Sequence, residues 1–415
     1  MIRRILAQKV ENKAMQATIV LKAGKERPLL RRHPWIYSNA VDSVEGKVYP
    51  GSTVHVVDHD RKFIAKALYS PSSQIRARVL TWDEAEPIDH AFFKRRISKA
   101  IEHRRAWIKN TNAIRLIFGE SDGLPGLIVD QYNDTLVCQF LFIGVEYWKD
   151  AIVAALAQQT NCSTIVERSD AAVRAREGLE KHIGALKGDL PTEPIQVNEC
   201  GVLYTVDVLQ GHKTGFYIDQ RDSRELVGQL SKDKEVLNMF CYTGGFSLAA
   251  LKGGAKHVTS VDSSGEALAM AQRQMKLNQF EESRATWIDD DAFNVLTKFR
   301  KEEKRFDLVV LDPPKFAPSS HHLDKALRAY KEINRAGMQL LNPGGLLFTF
   351  SCSGAVDAAL FERTIAMASA EAMSHSGDKG MDFRVLKRLS SGLDHPLLAS
   401  FPEGDYLKGL LLQRV

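Results

Sequence analysis

The chain has 415 residues, of which 44% are hydrophobic and 26% charged, and its formal net charge is +5. This composition excludes a fibrous or wholly disordered chain, and the length predicts two or three domains. No apolar run approaches the roughly 18 residues of a membrane span, and the basic start lacks the apolar core of a signal peptide. The five cysteines have no CxxC spacing, which argues against a disulfide framework or a cysteine-rich zinc site. We therefore expect a soluble, cytoplasmic protein with no membrane partner.

Basic residues concentrate in two segments. Residues 1–35 contain nine Lys and Arg against two Glu, and residues 94–109 contain seven against one. Such density suits a polyanionic partner, although a solvated basic face explains either cluster alone equally well.

The first predicted domain, residues 16–84, has the short alternating stretches and turn signals of an all-β module. Its strands are predicted at Ala17–Leu21, Thr53–Val57, Phe63–Leu68 and Arg76–Leu80. Cations adjoin rings around Arg31, Arg32 and Trp35, a composition that suits phosphates and unpaired bases. These three residues are our candidate RNA contacts.

The second predicted domain, residues 85–206, mixes helices and strands. A helix over Asp89–Asn110 carries the second basic cluster, and another is predicted over Tyr147–Gln159. Strands are predicted within Arg115–Asp130, which holds two, and at Thr135–Phe142, Ser163–Glu167 and Gly201–Val208. The pattern predicts a small α+β domain.

The third predicted domain, residues 207–415, alternates strands with helices, which predicts a parallel sheet covered on both faces. The strands are Val236–Phe240, Val258–Val261, Thr286–Ile288, Phe306–Leu311 and Leu346–Ser351, with a closing hairpin at Arg384–Arg388 and Tyr406–Leu412. The helices are Phe246–Lys252, Gly265–Gln279, Ala292–Lys301 and Leu323–Leu341. Residues 342–345 (NPGG) are predicted to stop the last helix and turn the chain into its strand.

The ends of the first three predicted strands of this sheet carry residues of the kinds that bind a nucleotide-like ligand. The first strand is followed by a turn with two glycines, which lets the backbone approach a ligand before a helix begins. The second ends at Asp262, 24 residues after Asn238, close to the spacing of an acidic residue that binds a ribose diol. The third ends in carboxylates that can accept from an adenine amino group. The candidate cofactor contacts there are Asn238, Phe240, Tyr242, Thr243, Gly244, Asp262, Asp290 and Asp291.

The sequence lacks both the GxGxxG of dinucleotide folds and the GxxxxGK[ST] loop of nucleoside triphosphate sites. An acidic ribose residue without a phosphate cradle favours S-adenosylmethionine, which has no phosphates. The segment Lys213–Arg221 either closes over this cofactor, with Gln220 or Arg221 touching its methionine end, or serves only as a connector between domains.

The fourth strand ends in Asp312, a further candidate cofactor contact, and two prolines follow it in a rigid extended loop. In methyltransferases such a loop often grips a planar, polar substrate. Lys315 separates the prolines from the aromatic ring, which weakens the case for an exocyclic amine as the target. The candidate substrate contacts are Pro313, Pro314, Lys315 and Phe316.

Cys352 follows the fifth strand between two serines and opposite Asp312. An unpaired cysteine is usually a buried hydrophobe, but a thiolate here can add to carbon 6 of cytosine and make carbon 5 nucleophilic. Asp312, protonated or bridged, would stabilise the adduct at ring nitrogen 3. Cys241 is the competing thiol, although it lies in the cofactor turn.

Seven sequence strings together resemble the RlmI-type bacterial 23S rRNA cytosine-5 methyltransferases, from about Met15 to the end of the chain. They are HPWIY at 33–37, QIR at 74–76, ESDGLPGL at 120–127, GHKTGFYIDQR at 211–221, FCYTGGFS at 240–247, DPPKF at 312–316 and SCS at 351–353. The stretch before Gln16 matches no such string, so that residues 1–14 are either a variable extension or precede the true start at Met15.

The resemblance implies an N-terminal PUA domain (a small RNA-binding β-barrel), a middle α+β domain and a Rossmann-like class I methyltransferase domain. It further implies methyl transfer from S-adenosylmethionine to carbon 5 of one cytosine in 23S rRNA, with Cys352 as the nucleophile. Relatives with two cysteines carry the second where this sequence has Lys315, so product release here needs a different base.

Two other functions stay open. A guanine methyltransferase acting on rRNA would share the fold, form no covalent intermediate and make Cys352 dispensable. A non-catalytic RNA-binding ribosome assembly factor would not bind the cofactor, against which the carboxylates Asp262, Asp291 and Asp312 argue. The substrate state is expected to be protein-free RNA or an early assembly intermediate, and the oligomeric state is open between monomer and homodimer. The pair His321-His322 resembles a metal site only superficially, because neighbouring side chains on a helix do not converge.

Overall fold

The structure, a computed structural model, describes residues 17–316, 323–376 and 381–415. The chain forms two compact units. Unit 1 contains the chain up to Trp107, Arg115–Thr192 and Pro396–Gly404, and unit 2 contains Ile108–Ile114, Glu193–His395 and Asp405–Val415. The pair His321-His322 lies outside the described residues, as do residues 1–16.

The first part of unit 1 is a six-stranded sheet with the order β2-β6-β5-β4-β1-β3. Its inward side chains, such as Ile19, Val54 and Ile36, are fully buried, which explains the alternating pattern of the sequence. Its strands are β1 (Thr18–Leu21), β2 (Trp35–Tyr37), β3 (Val41–Glu45), β4 (Thr53–Val57), β5 (Phe63–Tyr69) and β6 (Ile75–Thr81), with one helical turn, α1 (Arg27–Leu30), between β1 and β2.

The second part of unit 1 is a five-stranded sheet with the order β11-β10-β9-β8-β7. Its strands are β7 (Ala113–Phe118), β8 (Leu127–Tyr132), β9 (Thr135–Phe140), β10 (Thr164–Ser169) and β11 (His182–Lys187). Its helices are α2 (His90–Trp107), α3 (Ile143–Tyr147), α4 (Lys149–Gln159) and α5 (Val173–Arg176).

Unit 2 contains a two-stranded sheet and a seven-stranded sheet. The strands are β12 (Ile195–Glu199), β13 (Val202–Val206), β14 (Glu235–Met239), β15 (His257–Asp262), β16 (Ala285–Asp289), β17 (Phe306–Leu311), β18 (Leu341–Ser351), β19 (Phe383–Leu389) and β20 (Lys408–Arg414). The helices are α6 (Arg221–Gln229), α7 (Gly245–Lys252), α8 (Gly265–Leu277), α9 (Ala292–Lys301), α10 (Leu323–Gln339) and α11 (Ala358–Ser376).

The large sheet has the order β16-β15-β14-β17-β18-β20-β19. The strands from β16 to β18 are parallel, and β20 inserts antiparallel between β18 and β19. The chain leaves the central strand β14 toward β15 and later returns on its other side at β17. Such a switch point opens a crevice at the carboxyl ends of the strands, where the candidate residues lie.

The parallel strands and most helices match the predicted ranges within a few residues. One difference is residues 342–345, predicted as a turn before the strand. They lie within β18, because Leu341 already pairs with Phe306 and the ladder resumes only where Leu346 pairs with Leu308. The turn signal therefore marks a bulge. Among the described residues, no helix combines the length and the apolar character needed to cross a membrane.

Candidate active site

A cavity of about 700 Å³ lies at the carboxyl ends of the parallel strands in unit 2. Most candidate residues from the sequence line it. They are Gln220, Phe240, Tyr242, Thr243, Asp262, Asp290, Asp291, Asp312, Pro313, Pro314, Lys315, Phe316 and Cys352. Among the candidate cofactor contacts, Asn238 and Gly244 do not line it, and the candidate RNA contacts Arg31, Arg32 and Trp35 lie in unit 1.

The turn after β14 owes its shape to unusual backbone angles. Gly244 has a φ of +78°, and a Cβ atom there would lie 2.9 Å from the Cβ of Ala271. Tyr242 also has a positive φ, 48°, and its backbone N–H donates to Asp262 Oδ2 at 2.7 Å. Gly244 thus shapes the turn from behind the cavity wall.

The carboxylate of Asp262 is fixed at the end of β15. Besides the N–H of Tyr242, it accepts the N–H of Ser264 at 2.9 Å on its other oxygen. Both oxygens are therefore held in place at the cavity wall, each with a remaining lone pair to accept a hydroxyl.

The two carboxylates that follow β16, Asp290 and Asp291, have different hydrogen-bonding roles. Asp291 caps α9 by accepting the N–H groups of Phe293 and Asn294 at 2.9 and 3.1 Å, as an N-cap residue does. Asp290 accepts the N–H of Asp291 at 2.6 Å and is exposed at the cavity. Asp290 is thus the better placed of the two to accept from a ligand.

Asn238 is buried within β14 and supports the turn from inside. Its amide donates to Ser247 Oγ at 2.8 Å, and that hydroxyl shares a hydrogen bond of 2.7 Å with Ser260 Oγ. These contacts join β14, α7 and β15. Direct contact of Asn238 with a cofactor stays a prediction.

Asp312 and Cys352 line the same cavity, each just after the end of its strand, and their strands β17 and β18 are parallel neighbours. Burial raises the pKa of Asp312 to about 7, and the negative charge of Asp219 adds to the effect. Burial also raises the pKa of the Cys352 thiol, with a further contribution from Asp312. The two groups act on each other, and Asp312 can exchange a proton near neutral pH.

The segment before α6 contributes more than the sequence indicated. Lys213 Nζ and the Tyr406 hydroxyl both donate to Asp219 Oδ2 at 2.6 Å. The ring of His212 stacks on Tyr242 with centroids 4.4 Å apart. The segment therefore forms a wall of the cavity. Its sequence signals were the interleaved rings and charges and the string at 211–221 that carries the family resemblance. No site signal marked Tyr406.

Arg221, at the end of that segment, has a structural role instead. Its guanidinium makes two hydrogen bonds to the buried carboxylate of Asp394, at 2.8 and 3.1 Å, and it does not line the cavity. Arg221 therefore fits the interpretation of this segment as a connector. Lys213 and Asp219 instead form part of the cavity wall.

The loop after β17 presents one buried and several accessible groups to the cavity. Pro313 is buried, whereas Pro314 and Lys315 are exposed. The ring of Phe316 packs edge-on against Tyr330 with centroids 4.9 Å apart. That contact anchors the described end of the loop.

The candidate RNA contacts in unit 1 differ in accessibility. Arg31 and Arg32 are exposed, and the guanidinium of Arg32 lies over the ring of Trp82. Trp35 is half-buried. Its indole N–H donates to Glu120 at 2.7 Å, and its ring packs against Phe401. Base stacking by Trp35 stays a prediction.

The residues that line the cavity suit S-adenosylmethionine in their chemistry. The sequence holds neither glycine-rich phosphate motif, the fixed carboxylate of Asp262 suits a ribose diol, and Phe240, Phe293 and Asp290 line the same cavity. The Oε1 atom of Gln220 is buried without a hydrogen-bond partner, so an ammonium donor from the methionine end would satisfy it. Among the described residues, no group of three or more His, Cys, Asp or Glu is placed to hold a metal ion.

Comparison with known proteins supports this assignment. Residues 169–378 match a family model described as S-adenosylmethionine-dependent methyltransferase. Residues 19–82 match that of a PUA-like domain. Both the predicted fold class and the cofactor are thereby confirmed.

Solved structures show the same architecture. SMU.776, a methyltransferase complexed with SAH, superimposes with a TM-score of 0.81 at 22% identity, covering 95% of this chain and 99% of the other. A second structure, of a SAM-dependent methyltransferase from Streptococcus mutans, gives 0.80 at 22% identity, with the same coverage. At this identity the likeness supports the fold alone.

Curated relatives match over nearly the whole chain. Proteins named ribosomal RNA large subunit methyltransferase I are 46% identical in Cronobacter sakazakii, covering 95% of this chain and 98% of the relative. The relative from Klebsiella pneumoniae is 47% identical, covering 94% of this chain and 96% of the relative. The relative from Shewanella amazonensis is 46% identical, covering 96% of this chain and 99% of the relative. With such identity over nearly its full length, the chain belongs to the ribosomal RNA large subunit methyltransferase I family and is an S-adenosylmethionine-dependent methyltransferase.

Proposed function

We propose that this protein methylates carbon 5 of one specific cytosine in 23S rRNA through a covalent bond between Cys352 and carbon 6 of the base. Ribosomal RNA as the substrate class is supported by the names of the relatives. The cytosine and the covalent step rest on one observation: Cys352 and Asp312 line the same cavity at the ends of adjacent strands.

In the first step, the chain supplies a nucleophile and a proton. The Cys352 thiol gives its proton to the Asp312 carboxylate, and the thiolate sulfur bonds to carbon 6. The electrons of the 5,6 double bond move into the ring, and nitrogen 3 takes the proton from Asp312. A carboxyl with a pKa of about 7 can both accept and return a proton at neutral pH.

S-adenosylmethionine, when bound, supplies the electrophilic methyl group that carbon 5 accepts. Transfer of the carbon-5 proton to a water molecule then expels the Cys352 sulfur as a thiolate and restores the double bond. The proton on nitrogen 3 returns to Asp312, which passes it to the thiolate, so that the thiol and the carboxylate are restored. In this account Gln220, Tyr242, Thr243, Asp262 and Asp290 hold the cofactor, and residues 313–316 hold the base.

The base must leave any helical stack to reach the cavity. We therefore propose that the substrate is protein-free rRNA or an early assembly intermediate, in the cytoplasm. The division into domains at 16–84, 85–206 and 207–415 belongs to the same proposal, with Arg31, Arg32 and Trp35 contacting RNA. In this proposal the protein acts as a monomer or a homodimer, two states that sedimentation velocity distinguishes.

The test uses deproteinised 23S rRNA and methyl-labelled S-adenosylmethionine, with the product nucleosides identified by mass spectrometry. We expect the label in 5-methylcytidine. We also expect Cys352→Ala to lower the rate at least about 10³-fold, because the nucleophile is lost.

Cys200→Ala is the matched control, since Cys200 does not line the cavity, and it should retain wild-type activity. Label in a methylated guanosine, or full activity of Cys352→Ala, would exclude the covalent mechanism and favour the guanine methyltransferase. Failure to bind the cofactor would favour a non-catalytic assembly factor.

A further inference from the structure

A buried lysine lies beside the strand end that carries Cys352. Lys408 is the first residue of β20, and its position is opposite Ser351 in the antiparallel pair with β18. Only 7% of its surface is exposed. No motif in the sequence singled it out, because it lies in the apolar closing strand.

The Lys408 ammonium joins two walls of the cavity. Its Nζ atom donates to the carbonyl of Ser353, the residue after Cys352, at 2.9 Å. It also donates to the carbonyl of Tyr406 at 2.9 Å, and the Tyr406 hydroxyl in turn contacts Asp219. These bonds fix the backbone on the carboxyl side of Cys352.

Among the described residues, no ion pair within 4.0 Å involves the Lys408 ammonium. A buried ammonium without a counter-charge is costly. The anionic groups that act on it are Asp405, Cys352 and Asp357, and of these only Cys352 lines the cavity.

We propose that Lys408 is the positioning residue of Cys352: its hydrogen bonds hold the loop that carries the thiol, and its charge stabilises the thiolate. The proposal rests on the proposed function, in which Cys352 is the nucleophile. It assigns a role to a residue outside the cavity lining.

Several other ionisable groups also act on the Cys352 thiol, in addition to Lys408. Asp312 and Asp219 raise the pKa of Cys352, whereas Lys213 and Lys315 lower it. Tyr330 and Tyr217 lie close enough to interact with it. Burial lowers the pKa of Lys408. The negative charges of Asp405, of the Cys352 thiolate and of Asp357 oppose that effect, in this order of size, as expected for neighbouring opposite charges.

The test measures the rate of alkylation of Cys352 by iodoacetamide as a function of pH, in the full chain and without RNA. Peptide mass spectrometry assigns each cysteine. In Lys408→Met we expect the pH at which Cys352 reaches half of its maximal alkylation rate to rise by about one unit. Alkylation of Cys352 at pH 8 should therefore slow about tenfold. Cys200, whose pKa burial raises to about 11, is the internal reference and should not change.

Unchanged alkylation of Cys352 in a folded Lys408→Met would overturn the proposal. If this variant loses its fold, the buried Cys138 and Cys162 become reactive. The comparison of Lys408→Arg with Lys408→Gln then decides: faster reaction of Cys352 in the arginine variant supports a role for the charge, and equal rates contradict it.

Methyl transfer gives a second readout. We expect Lys408→Met to lower kcat and leave the KM for RNA unchanged, with partial recovery in Lys408→Arg. Failure of the proposed function is distinguishable, because it appears as activity in Cys352→Ala, whereas the alkylation profile needs no substrate.

Discussion

The pKa of Asp312 is raised to about 7 because of the burial of the carboxyl and the charges around it. The carboxyl lies near the ionised Asp219, and Lys213 and a hydrogen bond from Gln220 only partly offset the effect. Such an environment disfavours the carboxylate in the folded protein but provides an acid and base near neutral pH.

The first residue-level prediction concerns the pH dependence of the reaction. One proton must be shared between Asp312 and Cys352, so the rate should rise through a pKa of about 7 and fall above the raised pKa of the thiol. Single-turnover methyl transfer between pH 5.5 and 10 measures both limbs. A flat profile from pH 6 to 8 would contradict the role of Asp312.

The second residue-level prediction concerns stability. The folded pKa of Asp312 is raised, so the folded state binds more protons than the unfolded state between about pH 4 and 7, and stability falls as pH rises through that window. Asp312→Asn removes the ionisable group and therefore this loss of stability at high pH. It should raise Tm by roughly 2–4 °C at pH 8 and by less at pH 5. Asp60→Asn, at an exposed carboxylate, is the control, and an equal shift there would refute the explanation.

At the level of elements, the sequence predicted those segments whose stability comes from apolar packing. Strand β17 and helix α9 match the predicted ranges, since the strand is an unbroken apolar run and Asp291 caps the helix. The cofactor turn and the proline loop were likewise visible, because glycine and proline restrict the backbone in known ways.

Helix α6 shows why other elements escaped prediction. Its buried side chains include Arg221 and Arg224, which hydropathy patterns assign to the surface. Both are buried because each pairs with a carboxylate distant in sequence, Asp394 and Glu199. Strand β11 is a sheet edge with mostly exposed or half-exposed residues, so it lacks the apolar alternation that marks a strand.

The element-level prediction concerns the pair that joins α6 to β12. Arg224 makes two hydrogen bonds to Glu199, at 2.7 and 2.8 Å, and both side chains are 3% exposed. Arg224→Met leaves a buried carboxylate unpaired and should lower the free energy of unfolding by about 3–5 kcal/mol, measured by urea denaturation.

The matched control is Arg388→Met, which removes a pair of similar geometry with Glu362 from the surface, where the arginine is 74% exposed. It should cost less than about 1 kcal/mol. Equal losses of unfolding free energy in the two variants would show that burial does not determine how much these ion pairs contribute to stability.

For the whole molecule, the basic clusters separate into structural and exposed parts. On α2, Arg104 is fully buried and makes two hydrogen bonds to Asp122, whereas Lys94 and Lys99 are exposed. A count of charges in the sequence could not make this distinction, because it depends on which helix face meets the core.

The prediction for the whole molecule is that RNA binding weakens steeply with salt. Replacement of Lys94 and Lys99 by Glu should reduce the slope of log affinity against log salt by about 2, if both contact phosphates. Filter binding to 23S rRNA from 50 to 300 mM salt measures it. Lys298→Glu, at an exposed lysine of α9, is the control, and an unchanged slope in the double variant would contradict RNA contact by α2.

The assignment of chain segments to units was predictable only in part. The PUA-like and methyltransferase regions were evident from strings of residues such as HPWIY and DPPKF. The membership of Pro396–Gly404 in unit 1 was not, because it depends on non-local packing such as that of Phe401 on Trp35. Such contacts leave no local pattern in the sequence.

The most direct test of the central claim is to trap the bond between Cys352 and the RNA. In 23S rRNA transcribed with 5-fluorocytidine, fluorine replaces the carbon-5 proton whose loss releases the enzyme, so that the adduct should persist after methyl transfer. We predict a covalent protein–RNA complex that survives denaturing electrophoresis in the wild type and Cys200→Ala, with the cross-link on Cys352 by mass spectrometry and no complex in Cys352→Ala. Methyl transfer to cytosine without any such complex, or a complex in Cys352→Ala, would contradict the account.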